Sequence, residues 1–254
     1  MLSNNQKKLI NSLVQKKYRL KHNLFIAEGE KCVNDLLSAG LRPKLIVYSN
    51  DWKSPIKITN YTEVIETSIK ELQKVSLQKS PQNVLALFEH PKLSLNISEL
   101  TNQLILILDG IQDPGNLGTI IRLADWFGVK NIISSNDTVD WLNPKVVQST
   151  MGAMGRVAVH YQDLPEFIPS YKKRTNNKIY GTLLEGKNIY TTQLDNKGAI
   201  ILGNEGQGIR DYNIPRIDVH LTIPPFTKEV QSESLNVATA SAIILSEFNR
   251  RIFS

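Results

Sequence analysis

The sequence predicts an α/β protein of two domains, the second built on a mostly parallel sheet covered by helices. Three observations carry this expectation. The chain has 254 residues, more than the roughly 100–150 of a typical single domain. From Leu104 onward, short apolar runs alternate with helical patterns, the order that a parallel sheet with helices on both faces requires. A hydrophobic fraction of 41% beside 21% charged residues is enough to fill a core and too apolar for a disordered chain.

The elements follow in order. The first 27 residues carry Lys7, Lys8, Lys16, Lys17, Arg19 and Lys21 and no acidic residue, with Tyr18, His22 and Phe25 among them. A polyanion needs such a footprint, because neutralised phosphates release counterions and unpaired bases stack on aromatic rings. A solvated helical face has the same composition. A helix over 29–39 closed by Gly40, strands at 44–48 and 56–58, helical patterns between 64 and 75 and a strand at 84–88 make a small α/β layer. HPKLSLNISELTNQ (90–103) reads as a connection. The expected division is therefore 1–95, a linker at 96–103, and 104–254. Residues 1–95 carry a net charge of +7 and the remainder −1, so the basic excess belongs to the first domain.

The second domain reads as strand 104–108, helix Leu117–Phe127 stopped by Gly128, strand 131–134, helix 144–154, strand 157–161 and helix 164–173. Strands at 179–184, 199–202 and 219–223 follow, then a last helix from Leu235 to about Ile252. In such sheets ligands bind beyond the carboxyl ends of the strands.

Several function classes are excluded. Cys32 is the only cysteine, so the chain has no internal disulfide framework and no cysteine cluster for zinc. His22, His90, His160 and His220 are far apart and lack metal-ligand spacing, so no metal is expected. The apolar runs stop well short of the roughly 20 residues that span a bilayer. The basic start has no signal-peptide core. We expect a cytoplasmic protein without a membrane partner.

Three loops after strands carry the candidate chemistry. DPGNLGTIIR places Asn116 where it can cap the following helix and Arg122 about one and a half turns in, where a guanidinium can reach an anion at the helix start. ILGNEGQGI puts Gly203, Gly206 and Gly208 around Glu205, allowing close backbone approach to a ligand or simply a tight turn. IPPFTKEVQSESLNVATA places Ser234 and Asn236 at the start of the last helix, where plain capping is the other reading. Neither a phosphate-binding GxxxxGK[ST] loop nor a GxGxxG fingerprint is present, which leaves a nucleotide-dependent oxidoreductase only a distant third reading.

In this order and spacing NLGTIIR, LGNEGQG and ESLNVATA resemble the three motifs of the SpoU/TrmH family of RNA ribose 2′-O-methyltransferases, in the SPOUT superfamily, over about 104–252. QKKYRLKHNLFIAEGEKCVNDLL resembles that family's N-terminal substrate-binding domain, similar to the ribosomal protein L30e fold. The resemblance implies an α/β-knot, a mostly parallel sheet whose C-terminal part is threaded as a deep trefoil knot, preceded by the small L30e-like domain. It implies S-adenosyl-L-methionine as cofactor, with Gly203, Ile223 and Leu235 in contact with it. Arg122 becomes the catalytic arginine, with Asn116, Glu205, Ser234 and Asn236 positioning it and the ribose. The partners implied are RNA, bound through Lys7, Lys8, Lys16, Lys17, Arg19 and Lys21, and a second copy in a homodimer. Ribosomal RNA of the 23S type is favoured over tRNA, because tRNA-specific members usually carry short helical extensions in place of the N-terminal domain. The chain departs from the pattern once: PPFTKEVQS between Ile223 and Glu233 is about three residues longer than the third motif usually allows and lacks its glycine. An inactive RNA-binding or assembly factor with the same fold is the competing reading.

Overall fold

The computed structural model describes residues 2–49, 52–227 and 234–250. They form two compact units, residues 1–92 with 140–156, and residues 93–139 with 157–254.

The first unit opens with α1 (Asn4–Ser12), started by a reciprocal capping box between Ser3 and Gln6. Next comes α2 (Lys16–His22), stopped by Asn23 in the left-handed conformation (φ 53°). The strands and helices that follow are β1 (Leu24–Glu28), α3 (Glu30–Ser38), β2 (Pro43–Tyr48), β3 (Glu63–Glu66), α4 (Ile69–Gln73) and β4 (Val84–Glu89). The sheet runs β1-β4-β2-β3, antiparallel except for the β2–β3 pair. One face buries Ile26, Leu45, Val47, Leu85 and Leu87 against Ile10 and Leu13. Two expectations fail here. Residues 56–58 form no strand, and the span expected to be helical from 64 divides into β3 and α4. The β-branched Val64 and Ile65 suit an edge strand, while Ser68 accepts from the Glu71 amide and starts the helix only at residue 69.

The second unit contains β5 (Leu104–Asp109), α5 (Pro114–Trp126) and β6 (Asn131–Ser135). After α6 (Pro144–Thr150), which packs on β1 in the first unit, come β7 (Ala158–Gln162), α7 (Leu164–Thr175), β8 (Ile179–Asn188), β9 (Gly198–Gly203), β10 (Val219–Thr222) and α8 (Val237–Arg250). Its six strands run β10-β8-β9-β5-β6-β7 and every pairing is parallel. Ile105, Ile107, Ile133, Ile179 and Ile201 pack beneath Leu164, Phe167, Ile168 and Tyr171 of α7. Leu106, Leu108, Ile132, Ile200 and Leu202, which alternate with them, are buried as well. Strands covered on both faces read as continuous apolar runs, which is why LILIL and AIIL were legible.

β8 departs from regularity. Gly181 pairs with His220 and Lys187 with Leu221, so residues 182–186 bulge out against no counterpart in β10. A Cβ at Gly186 would lie 2.8 Å from the His220 carbonyl carbon, so the bulge returns to the sheet only at a glycine. Bulges of this kind re-aim side chains beside sites. Among the described residues no helix is long and apolar enough to cross a membrane, and no cluster of His, Cys, Asp or Glu could hold a metal ion.

Candidate active site

The three loops follow β5, β9 and β10, at the carboxyl edge of the parallel sheet. The helix after the first loop starts earlier than Asn116 suggests. Asp113 is the N-cap, accepting from the Asn116 amide at 2.8 Å, and Pro114 takes the first helical position with its φ preset. Asn116 therefore stands in the first turn with its side chain free of capping duty.

That release lets one chain of hydrogen bonds join all three loops. Asn116 Nδ2 donates to Glu205 Oε1 at 2.9 Å, and Asn236 Nδ2 donates to Asn116 Oδ1 at 2.9 Å. Asn236 Oδ1 meanwhile accepts from the Ala238 and Thr239 amides, so the residue that starts α8 also faces the first loop. The Gln112 amide reaches Glu205 Oε2 at 3.4 Å. The site thus holds a carboxylate engaged by amide donors on its two oxygens.

Arg122 lies outside this chain. Six residues separate it from Asn116, which on a helix is roughly 9 Å along the axis and about 120° around it. Its side chain is exposed. Among the described residues no ion pair engages it. An exposed guanidinium without a carboxylate partner keeps its full charge for an incoming anion. Ser234 is also exposed, immediately before Leu235 and Asn236. The structure therefore brings Asn116, Glu205 and Asn236 together and leaves Arg122 and Ser234 open to solvent.

Sequence reasoning missed the layer underneath. Asp109, fully buried at the end of β5, accepts from the Arg210 amide at 3.0 Å and from Asn213 Nδ2 at 2.9 Å. Arg210 Nη1 lies 3.1 Å from Asp109 Oδ1, yet that oxygen receives no well-aligned hydrogen bond. The contact is Coulombic, without directed hydrogen bonding. The Arg210 guanidinium also grips Asp137, whose hydrogen bond raises the arginine above its ordinary value. Asn204 Nδ2 donates to the Gly110 carbonyl at 2.7 Å, while its Oδ1 accepts from the Gly206 and Gln207 amides. The first two loops are thereby fastened to one another from below. An aspartate ending the apolar run LILILD was the available signal.

Of the expected cofactor contacts, Gly203 closes β9, Ile223 is half-buried just after β10, and Leu235 is 50% exposed. A Cβ on Gly203 would fall 2.1 Å from the Gly208 carbonyl carbon, so only glycine allows the 204–208 turn to fold back so closely. Leu184, 74% exposed on the β8 bulge, is tied to the end of β10 by Thr222 Oγ1 donating to its carbonyl at 3.0 Å. Exposed apolar side chains and backbone at strand ends suit an uncharged adenosine, so these residues fit S-adenosylmethionine. The remaining loop residues, 228–233, lie outside the described residues.

The expected RNA cations divide. Lys8, Lys16, Lys17 and Lys21 are exposed, and Lys17 lies 4.9 Å over the Tyr18 ring. Lys7 pairs with Glu71 at 2.8 Å; with Lys74 it holds that carboxyl well below the usual range, at about 2. Arg19 is corrected: it is 2% exposed, bound to Asp140 and to the Leu13 and Val14 carbonyls, and fastens α2 into the unit instead of facing a ligand. A buried guanidinium needs such a full set of acceptors.

A parallel sheet with three joined loops at its carboxyl edge and a small α/β unit ahead of it defines a class, and comparison with known families agrees. Residues 103–246 match the SpoU rRNA Methylase family and residues 4–86 the MRM3-like substrate binding domain. The chain belongs to the SpoU rRNA methylase family. It is 32% identical over 231 residues to the 23S rRNA (guanosine(2553)-2′-O)-methyltransferase RlmP of Bacillus subtilis, covering 91% of this chain and 90% of that protein. A TrmH-family protein of Porphyromonas gingivalis superimposes with a TM-score of 0.89 at 37% identity, covering 99% of both chains. The S-adenosylmethionine-bound rRNA methyltransferase of Sinorhizobium meliloti superimposes at 0.87 with 28% identity, covering 100% of this chain and 97% of that one.

Proposed function

We propose that the protein is an S-adenosylmethionine-dependent methyltransferase of the ribose 2′-hydroxyl in ribosomal RNA of the 23S type. The observation that carries this reading is the Glu205–Asn116–Asn236 chain joining three loops, with Arg122 exposed and unpaired further along the helix of the first. S-adenosylmethionine, when bound, supplies the electrophilic methyl group. That methyl group would pass to the 2′-oxygen, whose hydroxyl proton would leave to water. Arg122 grips the neighbouring phosphate and stabilises the negative charge growing on the 2′-oxygen. It acts as a charge, because a guanidinium does not give up its proton. Glu205, Asn116 and Asn236 hold the loops at fixed separation and Ser234 stands at the ribose, so the reactants meet in one orientation. Gly203, Ile223 and Leu235 hold the cofactor.

Residues 1–95 bind the RNA through Lys8, Lys16, Lys17 and Lys21, residues 96–103 connect, and residues 104–254 carry catalysis, in the cytoplasm. The path after β9, which enters the sheet between β8 and β5, is threaded as a trefoil knot; an experimental map tracing α8 outside the preceding loops would contradict this. Two copies pair through the exposed face of α5 that carries Trp126.

Replacing Arg122 with Ala tests the reading against an inactive binding factor. Methyl transfer to unmodified 23S rRNA should fall about 10²–10³-fold, the size expected for removing a transition-state donor. RNA affinity should stay within a few-fold. Parent and variant that bind RNA equally and transfer nothing would favour the binding factor.

A further inference from the structure

Beyond the bulge of β8 two aromatic rings stand together with no role in the reading above. Phe226 is 88% exposed, and its ring centroid lies 6.0 Å from that of Tyr190, itself 37% exposed, at 46°. Tyr190 is fixed at the ends of β8 and β10. The Ile189 amide donates to the Thr222 carbonyl at 3.0 Å, and the Tyr190 amide to Asn188 Oδ1 at 2.9 Å. Phe226 follows Ile223 through Pro224 and Pro225, whose fixed φ angles restrict the backbone that presents the ring. An exposed ring on a stiff mount, with a second ring tilted against it, offers a π-face at little entropic cost.

We infer that Phe226 and Tyr190 form a stacking platform for an unpaired RNA base flanking the target ribose. This rests on the proposed ribose methylation. Two arguments select an RNA base over other occupants. First, β8 lies between β9 and β10, so the ends of β9 and β10 are two strand spacings, roughly 10 Å, apart. The platform thus lies on the same carboxyl edge of the sheet as the loop of Glu205, within reach of a nucleotide next to the target. Second, Phe226 belongs to the stretch PPFTKEVQS, in which this chain departs from its family's third motif. A ring added there extends the substrate surface, whereas the cofactor contacts remain at Gly203, Ile223 and Leu235. Bases stack on such rings with little regard to sequence, so the platform would fix the register of the strand more than its base identity.

The test uses the full chain at fixed ionic strength with an unmodified 23S rRNA transcript as probe. Phe226→Ala and Tyr190→Ala should each weaken RNA binding about tenfold and raise the KM for RNA correspondingly. The dissociation constant of S-adenosylmethionine should stay within about twofold. In Phe226→Trp, RNA should quench an added component of tryptophan fluorescence that S-adenosylmethionine alone leaves unchanged. Unaltered RNA affinity in both alanine variants overturns the inference. Weakened S-adenosylmethionine binding with unaltered RNA binding also overturns it, by assigning the rings to the cofactor's adenine. The binding arm needs no turnover, so a parent protein that fails to methylate would count against the proposed function and still decide the platform.

Discussion

At the scale of residues, side-chain amides do most of the joining. Asn116 was legible as a helix-start residue, and the structure gives that duty to Asp113, whose carboxylate caps while Pro114 presets the backbone. The consequence is a bridging asparagine that donates to Glu205 and accepts from Asn236. Glu205→Gln tests the bridge while keeping its shape. Gln112 and Asn116 both donate to this carboxylate, and a glutamine offers only one acceptor oxygen. Losing one such bond at an exposed site costs about 1–1.5 kcal/mol. If the loss falls on the transition state, kcat drops roughly tenfold with little change in RNA affinity. An unchanged kcat would mean that the bridge plays no part in the chemistry. Asp109 and Arg210 stayed hidden because their pairing spans about a hundred positions, and sequence alone gives no measure of such long-range contact.

Among the elements, those whose burial leaves a periodic trace were readable and those set by one cap were not. The central strands β5 and β9 announced themselves as apolar runs because both sheet faces are covered there. By contrast β1, buried throughout, hid behind the basic run before it, and α4 is only five residues long with its start set by Ser68. The face of α5 carries the next prediction. Thr119, Arg122 and Trp126, spaced three and four apart, share one exposed stripe. Trp126 is 83% exposed, and tryptophan is enriched where proteins pair. The full chain should sediment at twice 28.6 kDa, and Trp126→Asp should shift it to monomer with loss of methyl transfer. A monomeric parent protein that methylates would contradict pairing through this face.

On the scale of the whole molecule, the basic excess lies in residues 1–95 and the candidate chemistry in the parallel sheet beyond. Fold class and three motif loops were visible from residue types and spacing alone. What the sequence withheld was burial, which turned Arg19 from a surface cation into a buried anchor. The central claim is that this division of labour ends in methylation of a ribose in ribosomal RNA. Its most direct test is to incubate the protein with unmodified 23S rRNA, a tRNA pool and S-adenosylmethionine bearing a deuterated methyl, digest each RNA to nucleosides, and weigh them. The account predicts the heavy methyl on a 2′-O-methyl nucleoside from the ribosomal RNA. Label confined to tRNA, or on a base instead of a ribose, would contradict it.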